Sequence, residues 1–250
     1  MKRYDFHIHT EYSYDSRIKG AQLLSKALEL EYNEIAITEH VDLLPQELSL
    51  YGLPSLKKYS SYVADLQAAY PGIVLHCGVE LGDYHLVQDF AYPLIEPFNF
   101  FPILGSVHFL ADHTNVAIPL SAPLSKAQIR DYYENNLCLV AKCDIDILAH
   151  FGVYKRYYTY EPDESYFMPL IKDIFDVMIA KDIALEVNFS SLNKPYGCVI
   201  PEPSYIQMYR DQGGSLFSLG SDAHRIEHFG STLEGIGLLG EHRSPQRRKQ

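Results

Sequence analysis

The chain has 250 residues, 47% of them apolar, and a formal net charge of −11. That length suits one domain with a sizeable core, and the acidic balance argues against a nucleic-acid-binding surface, which needs clustered Lys and Arg. No run approaches the about 20 apolar residues of a membrane-spanning helix, and the first five residues carry no apolar signal-peptide region.

Short apolar runs alternate with longer segments of helical period, the pattern of βαβ units around a parallel sheet. The first candidate strand lies near residues 4–8, and residues 21–30 follow as a helix with Ala21, Leu24 and Leu28 on one face. A second strand near 34–38 contains Ile35-Ala36-Ile37, a run suited to a strand covered on both sides. A helix over 55–70 stops at Pro71-Gly72, and strands near 73–79 and 102–107 come next. Ser125 is placed to cap a helix reaching Lys142, ahead of a strand near 144–149. A helix over 163–181, a strand near 183–188, a helix over 203–212 ended by Gly213-Gly214 and a strand near 215–220 complete the series.

No repeat or interdomain linker interrupts these elements, so a single catalytic domain over 1–240 is expected, followed by a disordered basic tail over 241–250. Seven strands, each followed by a helix or long loop, favour a barrel, although an open doubly wound sheet gives a similar string. No glycine-rich phosphate fingerprint follows the first strand, which weighs against the dinucleotide-binding form of that sheet. Cys77, Cys138, Cys143 and Cys198 show neither disulfide-framework nor CxxC spacing. They are expected as reduced thiols of a cytoplasmic protein.

Six of the eleven histidines fall at or just past the C-terminal end of a candidate strand. His7 and His9 close the first in Asp5-Phe6-His7-Ile8-His9, and His40 closes the second in Thr38-Glu39-His40. Glu80 ends the third in Gly78-Val79-Glu80, and His108 follows the fourth in Ser106-Val107-His108. His150 follows the fifth in Leu148-Ala149-His150, and Asp222 and His224 follow the seventh in Gly220-Ser221-Asp222-Ala223-His224. In a parallel barrel these ends face one way, and residues i and i+2 of a strand point to one side. His7 with His9, and Asp222 with His224, can therefore each grip an ion.

A lone buried histidine is more often a hydrogen-bonded core residue; six at successive strand ends, joined by Glu80 and Asp222, point to metal binding. Asp15, in the loop over the first strand, is a ninth candidate ligand. His76, inside the third strand, is read as structural, and His85, His113, His228 and His242 as solvated. Nine candidates exceed the coordination of one ion, so two to three divalent ions are expected, bridged by the two oxygens of Glu80. Imidazole and carboxylate suit Zn, Mn or Fe, and the lack of thiolate argues against a structural zinc. Glu39 is expected to point away from the ions and to support a ligand by hydrogen bonding.

These motifs, in this order, resemble the polymerase-and-histidinol-phosphatase (PHP) phosphoesterases from Tyr4 to about Leu239. The resemblance implies a distorted seven-stranded (β/α)7 TIM-like barrel with a trinuclear metal centre at the C-terminal strand ends. It implies one metal held by His7, His9, Glu80 and Asp222, a second by Glu80, His108 and His150, and a third by Asp15, His40 and His224. Asp15 stands where some members have histidine. Residues 103–110, and Leu185-Glu186-Val187-Asn188 with Lys194-Pro195 and Pro201, are similar to the histidinol-phosphate phosphatases of the family. Two segments depart from the pattern: Phe151-Gly152 stand where many relatives carry Pro or Ile and then Asp, and the loop after Glu80 diverges.

The function expected is hydrolysis of L-histidinol phosphate to L-histidinol and phosphate, in histidine biosynthesis, by a metal-bridging hydroxide. Glu80 would bridge the metals, and Asp222 or His224 would protonate the leaving alkoxide. Arg17, Arg156, Lys194 and Arg225 fall in loops on the ligand side as candidate phosphate binders, with Arg156 and Arg225 preferred. Glu11, Glu39, Asp83 and Glu186 are expected to make the mouth acidic, suiting a small cationic leaving group. Three alternatives compete: a different phosphoester such as a phosphotyrosine protein or nucleotide, an amidohydrolase or deacetylase, and a non-catalytic binding module. Amidohydrolase sites commonly include a carboxylated lysine or one catalytic metal, whereas no strand-end lysine appears here and second-metal ligands are present; the binding module requires eroded ligands, of which none is seen.

Overall fold

The computed structural model describes residues 2–235, 237, 239 and 242–247. Seven strands, β1 (Tyr4–Asp5), β2 (Glu34–Asp42), β3 (Val74–Gly82), β4 (Ile103–Ser106), β5 (Ile147–Leu148), β6 (Ala184–Asn188) and β7 (Phe217–Gly220), form one parallel sheet in sequence order. The sheet closes on itself: Phe6 N–H donates to Leu219 O at 2.9 Å, and Asp222 N–H to His7 O at 2.8 Å. Ile8 also pairs in parallel with Ala223. A nearly closed seven-stranded barrel results, not the open sheet that the same string of elements allows.

Eight helices are described: α1 (Gly20–Glu29), α2 (Pro45–Tyr51), α3 (Leu56–Ala69), α4 (Tyr84–Ile95), α5 (Lys126–Lys142), α6 (Met168–Ala180), α7 (Pro203–Asp211) and α8 (Thr232–Gly235). The helix period decides which faces they bury. On α6, Ile171, Ile174, Phe175 and Met178 recur at helical spacing and are fully buried against the barrel. Ser125 caps α5 reciprocally: its hydroxyl accepts from Gln128 N–H at 3.3 Å, while Gln128 Oε1 accepts from Ser125 N–H at 2.9 Å. None of the described helices is long and apolar enough to cross a membrane.

Three helices, α2, α4 and the single turn α8, lie outside the expected set. α4 hides its period: Pro93 sits inside it, Val87 departs from helical geometry, and Leu86, Phe90 and Tyr92 face solvent. The helix expected over 163–181 begins instead as a 3-10 turn, Ser165–Phe167. The disordered tail expected from composition does not hold for residues 242–247. Arg243 N–H donates to Ser215 O at 2.8 Å and its carbonyl accepts from Phe217 N–H at 2.9 Å. His242 Nε2 lies 2.8 Å from Tyr4 Oη, so this segment pairs at the N-terminal end of the barrel, opposite the strand ends that carry the site. Residues 241 and 248–250 of the expected tail lie outside the described residues.

The barrel wall leaves no room at Gly78 on β3. A Cβ there would stand 2.5 Å from the Pro102 carbonyl oxygen and 2.9 Å from Thr38 Cγ2. That carbonyl accepts from Val79 N–H at 3.0 Å, so it cannot retreat without weakening the β3–β4 seam. Gly78→Ala is expected to cost about 1–3 kcal/mol through overpacking, read as a lowered Tm by calorimetry. An unchanged Tm would show that the seam opens freely.

Candidate metal centre and its cavity

The parallel sheet delivers its polar residues to one end. β2 and β3 run in register with His40 directly opposite Glu80, while His108 and His150 stand two residues past β4 and β5. The nine residues named as candidate ligands meet there, and all but His40, His224 and Asp15 are buried. Glu80 is the hub. Its Oε2 lies 3.3 Å from His7 Nε2, 3.4 Å from His9 Nε2 and 3.1 Å from His40 Nδ1. Its Oε1 lies 2.8 Å from His150 Nε2 and 3.5 Å from His108 Nε2. The two oxygens thus face two different sets of imidazoles.

Three groups of donors each lie within 4.8 Å of one another: His7, His9 and Asp222; His7, Glu80 and His150; and His9, His40 and His224. Asp15 joins the third group, 3.3 Å from His224 Nε2 and 3.6 Å from His40 Nε2. A fourth group, Asp42, Glu47 and His108, stands on the other side of the His108 ring. Several polar atoms in the cluster have no hydrogen-bond partner although buried, among them Glu80 Oε2 and His40 Nδ1. His7 Nε2 and His9 Nε2 face each other at 3.1 Å. Two ring nitrogens that close, beside an unsatisfied carboxylate oxygen, fit shared cations, and the all-nitrogen-and-oxygen donor set fits divalent transition metals.

A second ring of groups fixes the donors. Glu186 Oε1 lies 2.7 Å from His7 Nδ1 and Oε2 accepts from His150 N–H at 2.5 Å. The His7 Nδ1–H···Oε1 bond fixes the tautomer and leaves Nε2 free as a ligand. Gly220 makes this possible, because any Cβ there would collide with Glu186 Oε1. Glu39 accepts from Thr10 N–H and from the Ser13 hydroxyl, and Ser13 Oγ lies 3.1 Å from His9 Nδ1. Glu39 therefore supports His9 through Ser13, without touching it.

The electrostatics follow from burial and crowding. Burial alone would lower His7, but the carboxylates of Glu186, Glu80 and Asp222 outweigh it and hold the imidazole well above its usual range. His9 goes the other way: burial and the neighbouring His224 and His40 hold it well below. Burial raises the carboxyl of Glu80, yet His7 and His40 bring it well below the carboxylate range. Asp222 is likewise depressed, burial being outweighed by His7 and Arg156. The hub is thus an ionised carboxylate, the charge that a cation site needs at its centre.

Beside this cluster opens a cavity of about 290 Å³, whose wall includes Asp15, Asp222 and His224 together with Arg156, Lys194 and Arg225. Arg156 Nη2 donates to Asp222 Oδ2 at 2.6 Å, tying the cationic wall to the donor cluster. Arg17 departs from expectation: its side chain is exposed and does not line this cavity, while its N–H is bonded to His224 O at 3.1 Å. The four acids expected at the mouth do not line it either. Glu186 and Glu39 are buried supports, and Asp83 accepts from His108 N–H and Phe109 N–H. Glu11 accepts from Gly20 N–H and Tyr62 Oη–H. Each faces local donors, which sequence position alone does not reveal. The cavity wall adds Tyr157, Phe189, Asn193 and His228 to the expected set. His228, read from the sequence as solvated, sits in a 3-10 turn, Ile226–His228, just past His224.

Among known proteins, the family model for the PHP domain matches residues 5–190. The chain is 27% identical over 248 residues to a probable histidinol-phosphatase of Clostridium acetobutylicum, covering 95% of this chain and 92% of that protein. It is 26% identical over 239 residues to a histidinol-phosphatase of Lactococcus lactis subsp. lactis, covering 90% and 85%. Its fold is similar to that of the crystal structure of histidinol phosphate phosphatase from Lactococcus lactis, complexed with zinc, L-histidinol and phosphate. The TM-score is 0.80, with 23% identity and coverage of 97% and 95%.

Substitution separates the hub from its support. Glu80→Gln removes the charge that faces five imidazoles and is expected to abolish stoichiometric binding of divalent metal. Glu186→Gln leaves the donors in place but loosens His7 and His150, and should weaken metal affinity by about 10–100-fold. Elemental analysis after gel filtration, with competitive chelator titration, reads both. Wild-type metal content in Glu80→Gln would contradict the hub assignment.

Proposed function

The chain belongs to the PHP-domain family, and from that premise we propose that it is a metal-dependent phosphomonoester hydrolase acting on L-histidinol phosphate. The observation that carries this reading is the cavity whose wall joins Arg156, Lys194 and Arg225 to the donor residues Asp15, Asp222 and His224. A phosphate monoester is a compact dianion, and it needs cations on more than one side. The names of the relatives from Clostridium and Lactococcus support the choice of substrate, and each matches this chain over most of its own length.

His7, His9, Glu80, Asp222, His108, His150, His40, His224 and Asp15 would hold two to three divalent ions. When bound, such ions lower the pKa of water and neutralise charge developing at phosphorus. The protein residues do the rest. Arg156, anchored through Nη2 on Asp222, presents its remaining N–H groups to phosphoryl oxygens, a geometry that lysine cannot supply. Lys194 and Arg225 add charge from the loops after β6 and β7. Asp222, held below the usual carboxylate range, is ionised at neutral pH. The attacking water gives up a proton and the leaving oxygen gains one, with Asp222 or His224, both in the cavity wall, as the donor to the leaving oxygen. The reading places the enzyme in the cytoplasm in histidine synthesis, in keeping with four cysteines that are all free thiols.

Catalytic efficiencies across a panel test the substrate. With metal-loaded protein at one salt concentration, L-histidinol phosphate should exceed phosphotyrosine, a nucleoside monophosphate and an aryl phosphate by at least about 100-fold, about 2.7 kcal/mol. Equal efficiencies would remove the histidinol assignment and leave a general phosphatase. Arg156→Ala and Arg225→Ala should retain metal while raising KM; loss of metal in both would make them structural supports of the centre. Chelation should abolish turnover and readdition of divalent metal should restore it. Full activity after chelation would contradict metal dependence.

A further inference from the structure

We propose that Lys155 is a positioning residue for substrate phosphate, its buried ammonium locking the turn that carries Arg156 to the edge of the metal centre. The proposal rests on the phosphatase reading above and extends it to a residue that no substrate touches. Five residues separate His150 from Arg156. Among them, Gly152 adopts φ +99°, and Val153–Lys155 form a single 3-10 turn. Nothing in so short a turn fixes the direction of a long arginine side chain. The bond to Asp222 holds the far end of that side chain, and the backbone at its base is held by the next residue back.

Lys155 is 1% exposed, as deeply buried as the aromatic residues around it. Its Nζ donates to Glu164 Oε2 at 2.8 Å and reaches Glu202 Oε1 at 2.7 Å, and it lies 4.8 Å from the centre of the Tyr205 ring. Glu164 also accepts from the hydroxyls of Tyr133, Tyr154 and Tyr205, and Glu202 from that of Tyr196. The three charges come from three separate segments: the turn after β5, the loop before α6 and the loop before α7. They therefore tie together the loops on that flank of the cavity. Gly152 belongs to the same device, because a Cβ there would stand 2.9 Å from Lys155 Cε. Tyr132 Oη accepts from Gly152 N–H at 2.8 Å and holds the turn from beneath.

Such a network is a poor way to gain stability. Desolvating three charges costs as much as their attraction returns, and apolar residues of similar volume commonly do as well or better. What it supplies is direction: two carboxylates, each fixed by tyrosine hydroxyls, define the position of one ammonium and thus of the backbone at Lys155. Arg156 is the next residue, and its Nη2 meets Asp222 Oδ2 at 2.6 Å. A phosphate clamp displaced by about 1 Å can lose on the order of 100-fold in rate, so rigidity at this turn is functional.

The test is a double-mutant cycle on the metal-loaded full chain, with inorganic phosphate as the probe in calorimetry. Glu202→Gln weakens the hold on Lys155 without removing the ammonium. It should raise the Kd for phosphate by about tenfold or more at an unchanged ratio of metal to protein, and the same substitution in an Arg156→Ala background should change Kd by less than about twofold. If Glu202→Gln fails to fold, the triple variant Lys155→Met, Glu164→Gln, Glu202→Gln, which buries no charge, takes its place with the same two expectations. Equal effects in both backgrounds, or no effect in either, would overturn the positioning role while leaving the phosphatase reading intact. Wild-type protein that binds no inorganic phosphate would overturn both.

Discussion

A single buried carboxylate governs this molecule. Glu80 is 1% exposed and stands within 3.5 Å of five imidazoles, three on one oxygen and two on the other. A carboxylate taken out of water must be compensated by several hydrogen bonds or by cations, and imidazoles crowded together cannot all be protonated. The stable solution to that crowding is metal. Only a parallel barrel brings residues from all but one of its strands to such a point, because all its strands end on the same side. The closing contacts between residues 6–9 and 219–223 are therefore part of the site: they bring His7 and His9 beside Asp222.

Around the hub, charge is divided between two tasks. The inner carboxylates, Glu186 and Glu39, orient imidazoles from behind, directly in the case of His7 and through Ser13 in that of His9. The outer cations, Arg156, Lys194 and Arg225, line the cavity. Asp222 joins the two, with one oxygen among the imidazoles and the other on Arg156. An acidic chain of net charge −11 thus gathers Arg156, Lys194 and Arg225 in the cavity wall beside its donor cluster, a local balance that the net charge of the whole surface does not express.

The part of this arrangement legible in the sequence is the part that depends on strand geometry. His7 and His9 share a side because the strand period is two, and Glu80, His108 and His150 converge because their strands are parallel neighbours. Ser125 was legible as a cap because its partner Gln128 is three residues away. What depends on facing partners across the fold was not. Glu186 looks like a mouth acid in sequence and is instead bonded to His7, 179 positions away. The Lys155, Glu164 and Glu202 network joins three loops with no spacing to announce it. Arg243 belongs to a charged, proline-containing run, yet its backbone completes a pairing with Ser215 and Phe217 that composition cannot express.

Anomalous diffraction from crystals of the metal-loaded protein, recorded above and below the metal edge, examines the centre itself. Peaks are expected between His7, His9 and Asp222, between Glu80, His108 and His150, and between His40, His224 and Asp15, with the first two bridged by Glu80. Density confined to the separate Asp42, Glu47 and His108 group, or no ordered metal within reach of Glu80, would contradict it.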